Sequence, residues 1–108
     1  MTPHRSPHAQ VAIRVEISRD FEDIAPIFLE NRRKDLQTLH NAVSIQDFAT
    51  LQILGHRMKG DGGGYGFDAI SEIGARLESA AKRQDLPPIE HCIGELEDFL
   101  NRVAVFYR

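Results

Sequence analysis

His56 and Lys59 stand three residues apart in the stretch HRMKGDGGGYGF (56–67), and five of the seven residues from Gly60 to Gly66 are glycine. A free imidazole has an ordinary pKa of about 6.5, so at neutral pH it keeps a nitrogen lone pair that can attack a phosphoryl group and form a P–N bond. The product carries added negative charge. An ammonium group one helical turn away offsets that charge and donates to the phosphoryl oxygens. Arg57 adjoins His56 in sequence, but a helix turns it about 100° further from Lys59. Phosphoryl transfer asks for in-line approach and positioning more than for covalent machinery. One nucleophile and one cation therefore suffice if a partner brings the acceptor and the metal.

The glycines need their own reason. Each costs roughly 1 kcal/mol against alanine in a helix interior, so five cost about 5 kcal/mol, against the ~5–15 kcal/mol that holds a domain folded. Helical turning sorts them. Phe48, Leu51, Gly55, Met58, Gly62 and Tyr65 share one face, and His56 lies about 135° from its mean direction, towards solvent. Lys59 flanks His56, while Gly60 and Gly63 bracket its direction. Ala49 and Gln52 continue the strip on the N-terminal side, and Ile53 adds an apolar residue to this outward face. Gly55 and Gly62 point inward, where they admit a neighbouring helix. Gly60 and Gly63 point outward, where packing makes no demand, and the reading is clearance for a large partner descending on the imidazole. Gly64 and Gly66 belong to the helix end, Gly66 as a left-handed cap.

Other chemistries fail on spacing. GDGGGYG lacks the Gly-Lys-Ser/Thr of a phosphate-binding loop and the preceding strand of a dinucleotide fingerprint. No nucleotide site is expected, and hence no kinase activity of the chain's own. His91 and Cys92 are adjacent and would point to different helix faces, so no metal site is expected. Cys92 reads as a small buried residue, and His4, His8, His40 and His91 as solvated ones. ENRRKD (30–35) reads as a solvated charged face.

The elements that must position His56 come next. With 108 residues and a net charge of −3 of mixed sign, the chain is one domain without the basic patch of a nucleic-acid binder. A single cysteine fits a reducing compartment. No apolar run nears the ~18 residues of a membrane span, and the start lacks the apolar core of a secretory signal. The expectation is a cytoplasmic monomer. Residues 1–10 read as a tail. VAIRVEIS alternates as a strand does, but no second strand is evident, so it is expected as an extended segment against a helical core. Phe21, Ile24, Phe28, Leu36, Leu39 and Val43 mark a first helix, beginning near Ala25 or bent from about residue 20 by Pro26. Ser44 and Asp47 resemble a capping box opening a second helix over about 45–64. Ile70, Ile73, Leu77 and Ala81 mark a third helix, ending by Gln84. DLPPIE is a stop and a start, and Ile89, Ile93, Leu96, Leu100 and Val103 mark the fourth. The fold class is all-α: an antiparallel up-and-down four-helix bundle over 18–108, with an extended N-terminal segment over 1–17.

Taken together, HRMKGDGGGYG (His56, Lys59, Gly60, Gly63, Gly66), ISEIGARLESAAKRQD with its Leu77-Glu78, and FLENRRKDLQTLHNAV resemble a histidine-containing phosphotransfer (HPt) domain over roughly 18–107. That resemblance implies a phosphorelay intermediate. His56 would take a phosphoryl group from the aspartate of a response-regulator receiver or hybrid histidine kinase and pass it reversibly to another receiver. Lys59 would stabilise it, Gly60 and Gly63 would permit docking, and Ala49, Gln52 and Ile53 would form the contact surface. The receiver would bring Mg²⁺, and the chain itself would need no cofactor. Asp61 stands where the family often has serine or alanine, which would place an acid near the phosphoryl site. The alternative is an adaptor of the same fold that binds a kinase or receiver without being phosphorylated.

Overall fold

The structure is a computed structural model that describes residues 11–108. The tail read at 1–10, with His4 and His8, lies outside the described residues. Along the chain come β1 (Ile13–Ile17), a 3-10 turn (Arg19–Phe21), α1 (Ala25–Ser44), α2 (Phe48–Gly64), α3 (Asp68–Lys82), α4 (Leu86–Arg102) and β2 (Val103–Tyr107). The four helices form the bundle read from the sequence, each packing on its neighbours in a ring α1–α2–α3–α4–α1.

Local chemistry sets the boundaries. Pro26 falls in the first turn of α1, where no N–H is needed, so the regular helix starts at Ala25. The cap of α2 differs from the reading. Asp47 alone is the N-cap, its Oδ1 accepting from the Thr50 amide at 3.1 Å. Ser44 is the last residue of α1, and Gln46, with φ 56°, turns the chain between the helices. α2 therefore starts at Phe48 rather than near 45. It closes at Gly64, and Gly66 follows in the left-handed conformation at φ 88°. Pro87 and Pro88 open α4 as proline can in a first turn.

Two expectations are overturned at the chain ends. β1 does have a partner: it pairs in parallel with β2, in register from Ile13↔Val103 to Ile17↔Tyr107. The fourth helix stops at Arg102, so Val103 belongs to a strand and not to the helical stripe. Val103, Val105 and Tyr107 pack with Ile13, Val15 and Ile17 against the bundle, while Arg14 covers the exposed Phe106 ring at 3.8 Å. Alternation in both segments gives each strand one inward face.

The core runs through Leu39, Leu51, Met58, Phe67, Ile70, Leu77, Ile89 and Leu96, all fully buried. Phe28 stacks on Phe67 at 5.3 Å, and Tyr65 packs on Phe28 at 5.1 Å and Phe21 at 5.5 Å, joining α1 to the end of α2. Phe99 and Cys92 are buried as well. Among the described residues, no helix is long and apolar enough to cross a membrane.

Candidate functional site

α2 and α3 approach more closely than side chains would allow. A Cβ on Gly55 would stand 2.6 Å from the Glu78 backbone nitrogen and 2.9 Å from the Gly74 carbonyl. A Cβ on Gly74 would stand 2.5 Å from the Lys59 backbone nitrogen. Gly62 meets the start of α3 in the same way, 2.7 Å from the Ser71 nitrogen. Inward glycines thus do what the helical arithmetic assigned to Gly55 and Gly62, with Gly74 as the matching notch on α3.

That proximity delivers Glu78 to the solvent face of α2. Its Oε2 lies 2.9 Å from His56 Nδ1, and its Oε1 lies 2.9 Å from Lys59 Nζ. The Glu78 side chain is 11% exposed, whereas that of His56 is 69% exposed. The bond from Lys59, and secondarily that from His56, hold the Glu78 carboxyl below its ordinary value of 4.5 against the opposing effect of burial. It is therefore ionised at neutral pH and can only accept. Neutral His56 then carries its proton on Nδ1 and presents the lone pair of Nε2 to solvent. Lys59 is also fixed through its backbone, since Ser71 Oγ donates to the Lys59 carbonyl at 2.7 Å.

The ground around His56 is bare on one side. Among the described residues, a Cβ on Gly60 or Gly64 would meet nothing within 4 Å. Gly63 lies nearer α3, a Cβ there coming into ordinary contact with Ser71 Oγ at 3.6 Å. Gly64, read as part of a helix end, is within α2 and extends the open strip. Ala49 and Ile53 are exposed and Gln52 is half-buried on the N-terminal side. At 57% exposure, Ile53 is a large apolar side chain left in water.

Two charged readings change. Asp61 does not face the imidazole, but turns to α1, where its Oδ2 lies 3.8 Å from Arg32 Nη1. Five residues of helix rotate it about 140° from His56. Arg32 is not part of a solvated face: it is buried, 2.8 Å from Asp35 and 4.9 Å above the Phe28 ring. Arg33 reaches the Leu100 carbonyl of α4.

Glu78, which joins His56 to Lys59, stood out in the sequence only as part of a Leu-Glu match. An acid four residues after an inward glycine, on the apolar stripe of α3, is the signal that it faces another helix.

The Hpt domain family matches residues 23–105, and the chain belongs to that family. No curated protein and no solved structure matches it. Hpt domains are phosphocarrier modules of histidine phosphorelays rather than enzymes with their own catalytic site, and they work with two-component kinases and receivers.

Proposed function

We infer that this chain relays phosphoryl groups between aspartates, with His56 as the carrier. The observation that carries the reading is the single carboxylate of Glu78 bridging His56 Nδ1 and Lys59 Nζ. It leaves Nε2 as the free, outward nucleophile.

The step balances without a redox partner. The Nε2 lone pair attacks the phosphorus of an aspartyl phosphate on a docked receiver. The N–P bond forms as the P–O bond to the aspartate breaks, and the electron pair leaves with the carboxylate. The imidazole becomes cationic on phosphorylation, and Glu78, accepting from Nδ1–H, stabilises that charge. Lys59 has further N–H donors beyond the one Glu78 takes, and these serve the phosphoryl oxygens. Onward transfer is the same step in reverse. Mg²⁺ comes with the receiver, whose acidic pocket would hold it. Gly60, Gly63 and Gly64 leave clearance for that pocket, and Ala49, Gln52 and Ile53 supply contact. Partners are receiver domains or a hybrid kinase, and the working form is a monomer.

The test is transfer from a phosphorylated receiver with Mg²⁺. Wild type should gain an acid-labile, base-stable phosphate, and a folded His56→Gln variant should gain none. Label on His56→Gln would remove the assignment, as would a wild type that no receiver phosphorylates.

A further inference from the structure

We propose that the paired chain ends hold the glycine-rich end of α2 helical. Release of β1 from β2 would then fray α2 beyond about Gly62 while the rest of the bundle stays folded.

Four of the last five residues of α2 are glycine, the residue with the lowest helix propensity short of proline. What keeps them helical is tertiary. Gly62 is wedged on α3, but a Cβ on Gly60 or Gly64 would meet nothing within 4 Å among the described residues. Beyond them, Tyr65 is held between Phe28 of α1 and Phe21 of the 3-10 turn, which meets it edge-on. Gly66 lies directly under Ile17 of β1, whose Cγ2 is 2.9 Å from where a Gly66 Cβ would be. Ile17 is 1% exposed, so two of the side chains that close this end precede α1.

β1 is in turn anchored by β2. The Arg108 amide donates to the Ile17 carbonyl at 3.1 Å and the Arg19 amide to the Arg108 carbonyl at 3.2 Å. Arg102 Nε donates to the Val11 carbonyl at 2.7 Å. A two-stranded pair is marginal by itself, which makes it the part of this fold most easily displaced. Fraying would stop at Gly62, which is wedged on α3, short of Lys59, which Ser71 and Glu78 pin to the same helix. The strip beside His56 would lose its shape while the His56–Glu78–Lys59 group kept its own. The family match begins at Asp23, so β1 and the turn lie outside the span that defines the family.

The test reads amide exchange by NMR on the full chain and needs no partner, so it stands apart from the relay reading. Val15→Pro places a residue that cannot donate to a ladder in the middle of β1 and leaves Ile17 intact. Ile17→Ala removes the packing and leaves the ladder. In both, exchange at Gly63–Gly66 should rise about tenfold or more, with less than about twofold change at Ile73, Leu77, Ile93 and Leu96. Unchanged protection at Gly63–Gly66 in Val15→Pro overturns the proposal, and so does equal acceleration in all four helices. Should Val15→Pro fail to fold, Ile17→Ala decides alone by the same criterion.

Discussion

A histidine on a helix surface titrates and tautomerises freely, and either ring nitrogen can hold the proton. Glu78 removes that choice, because an ionised carboxylate at Nδ1 makes Nε2 the acceptor. Glu78→Ala should therefore slow phosphoryl uptake from a receiver by about tenfold or more, the scale of losing a group that orients a functional histidine. Glu78→Gln keeps an acceptor at the same position and should recover part of that rate. Imidazole ¹⁵N shifts give the readout that a purely structural role would not move: Nδ1 protonated in wild type and in Glu78→Gln, mixed in Glu78→Ala. Equal rates and equal shifts in all three would show that the contact is incidental. His56 and Lys59 were legible in the sequence because both sit on one helix, where spacing alone fixes direction. Glu78 was not, because it comes from another helix, and no local period reports which residue faces across a helix pair. Asp61 was misplaced for a related reason: its place beside the motif said nothing of Arg32, which draws it to α1.

At the scale of elements, the glycines divide by what a methyl group would strike. Among the described residues nothing lies within 4 Å of a Cβ on Gly60, so Gly60→Ala should raise stability to urea by up to about 1 kcal/mol, the propensity gain in a helix interior. Gly55 and Gly74 face backbone at under 3 Å. The same substitution there gains the same propensity and must force two helices apart, so a net loss of about 1–3 kcal/mol is expected from overpacking. If Gly55→Ala proved as stable as Gly60→Ala, the α2–α3 contact would not be the constraint described here. Separation of α2 from α3 would also withdraw Glu78, so Gly55→Ala should reproduce part of the Glu78→Ala defect in uptake. The inward and outward sorting of these glycines followed from periodicity, and the helices themselves from apolar spacing and proline placement. The strand pair did not. Val103 continues the stripe of Leu100 at helical spacing, and the strand begins at the residue where that stripe would run on. Its partner lies about ninety residues away, a pairing that alternation in either segment cannot announce.

For the molecule as a whole, carboxylates fasten the helices in series. Asp47 caps α2, Glu78 ties α3 to α2, and Glu95 ties α4 to α3 through a two-pronged bond with Arg76 at 2.6 and 3.0 Å. All three are held below their ordinary values of 3.8 for Asp and 4.5 for Glu: Asp47 by the Thr50 hydroxyl and then its amide, Glu78 chiefly by Lys59, Glu95 chiefly by Arg76. A carboxyl with a lowered folded-state pKa contributes stability that is full above its unfolded value and is lost as pH falls through its folded one, since the unfolded chain binds more protons over that interval. Stability should accordingly hold level from neutral pH down to about 5 as far as these groups are concerned, then decline as the pH passes below the ordinary carboxylate range. The double variant Glu78→Gln, Glu95→Gln should melt several degrees below wild type at pH 6 and approach it as the pH falls through the lowered folded-state values of the two carboxyls, where the native groups lose their charge as well. Melting temperatures followed by circular dichroism across that range decide the matter. Curves that stay parallel through that fall would mean that the two ion-paired carboxylates fold no more tightly than neutral amides would, and that the helices are fastened by their apolar faces alone.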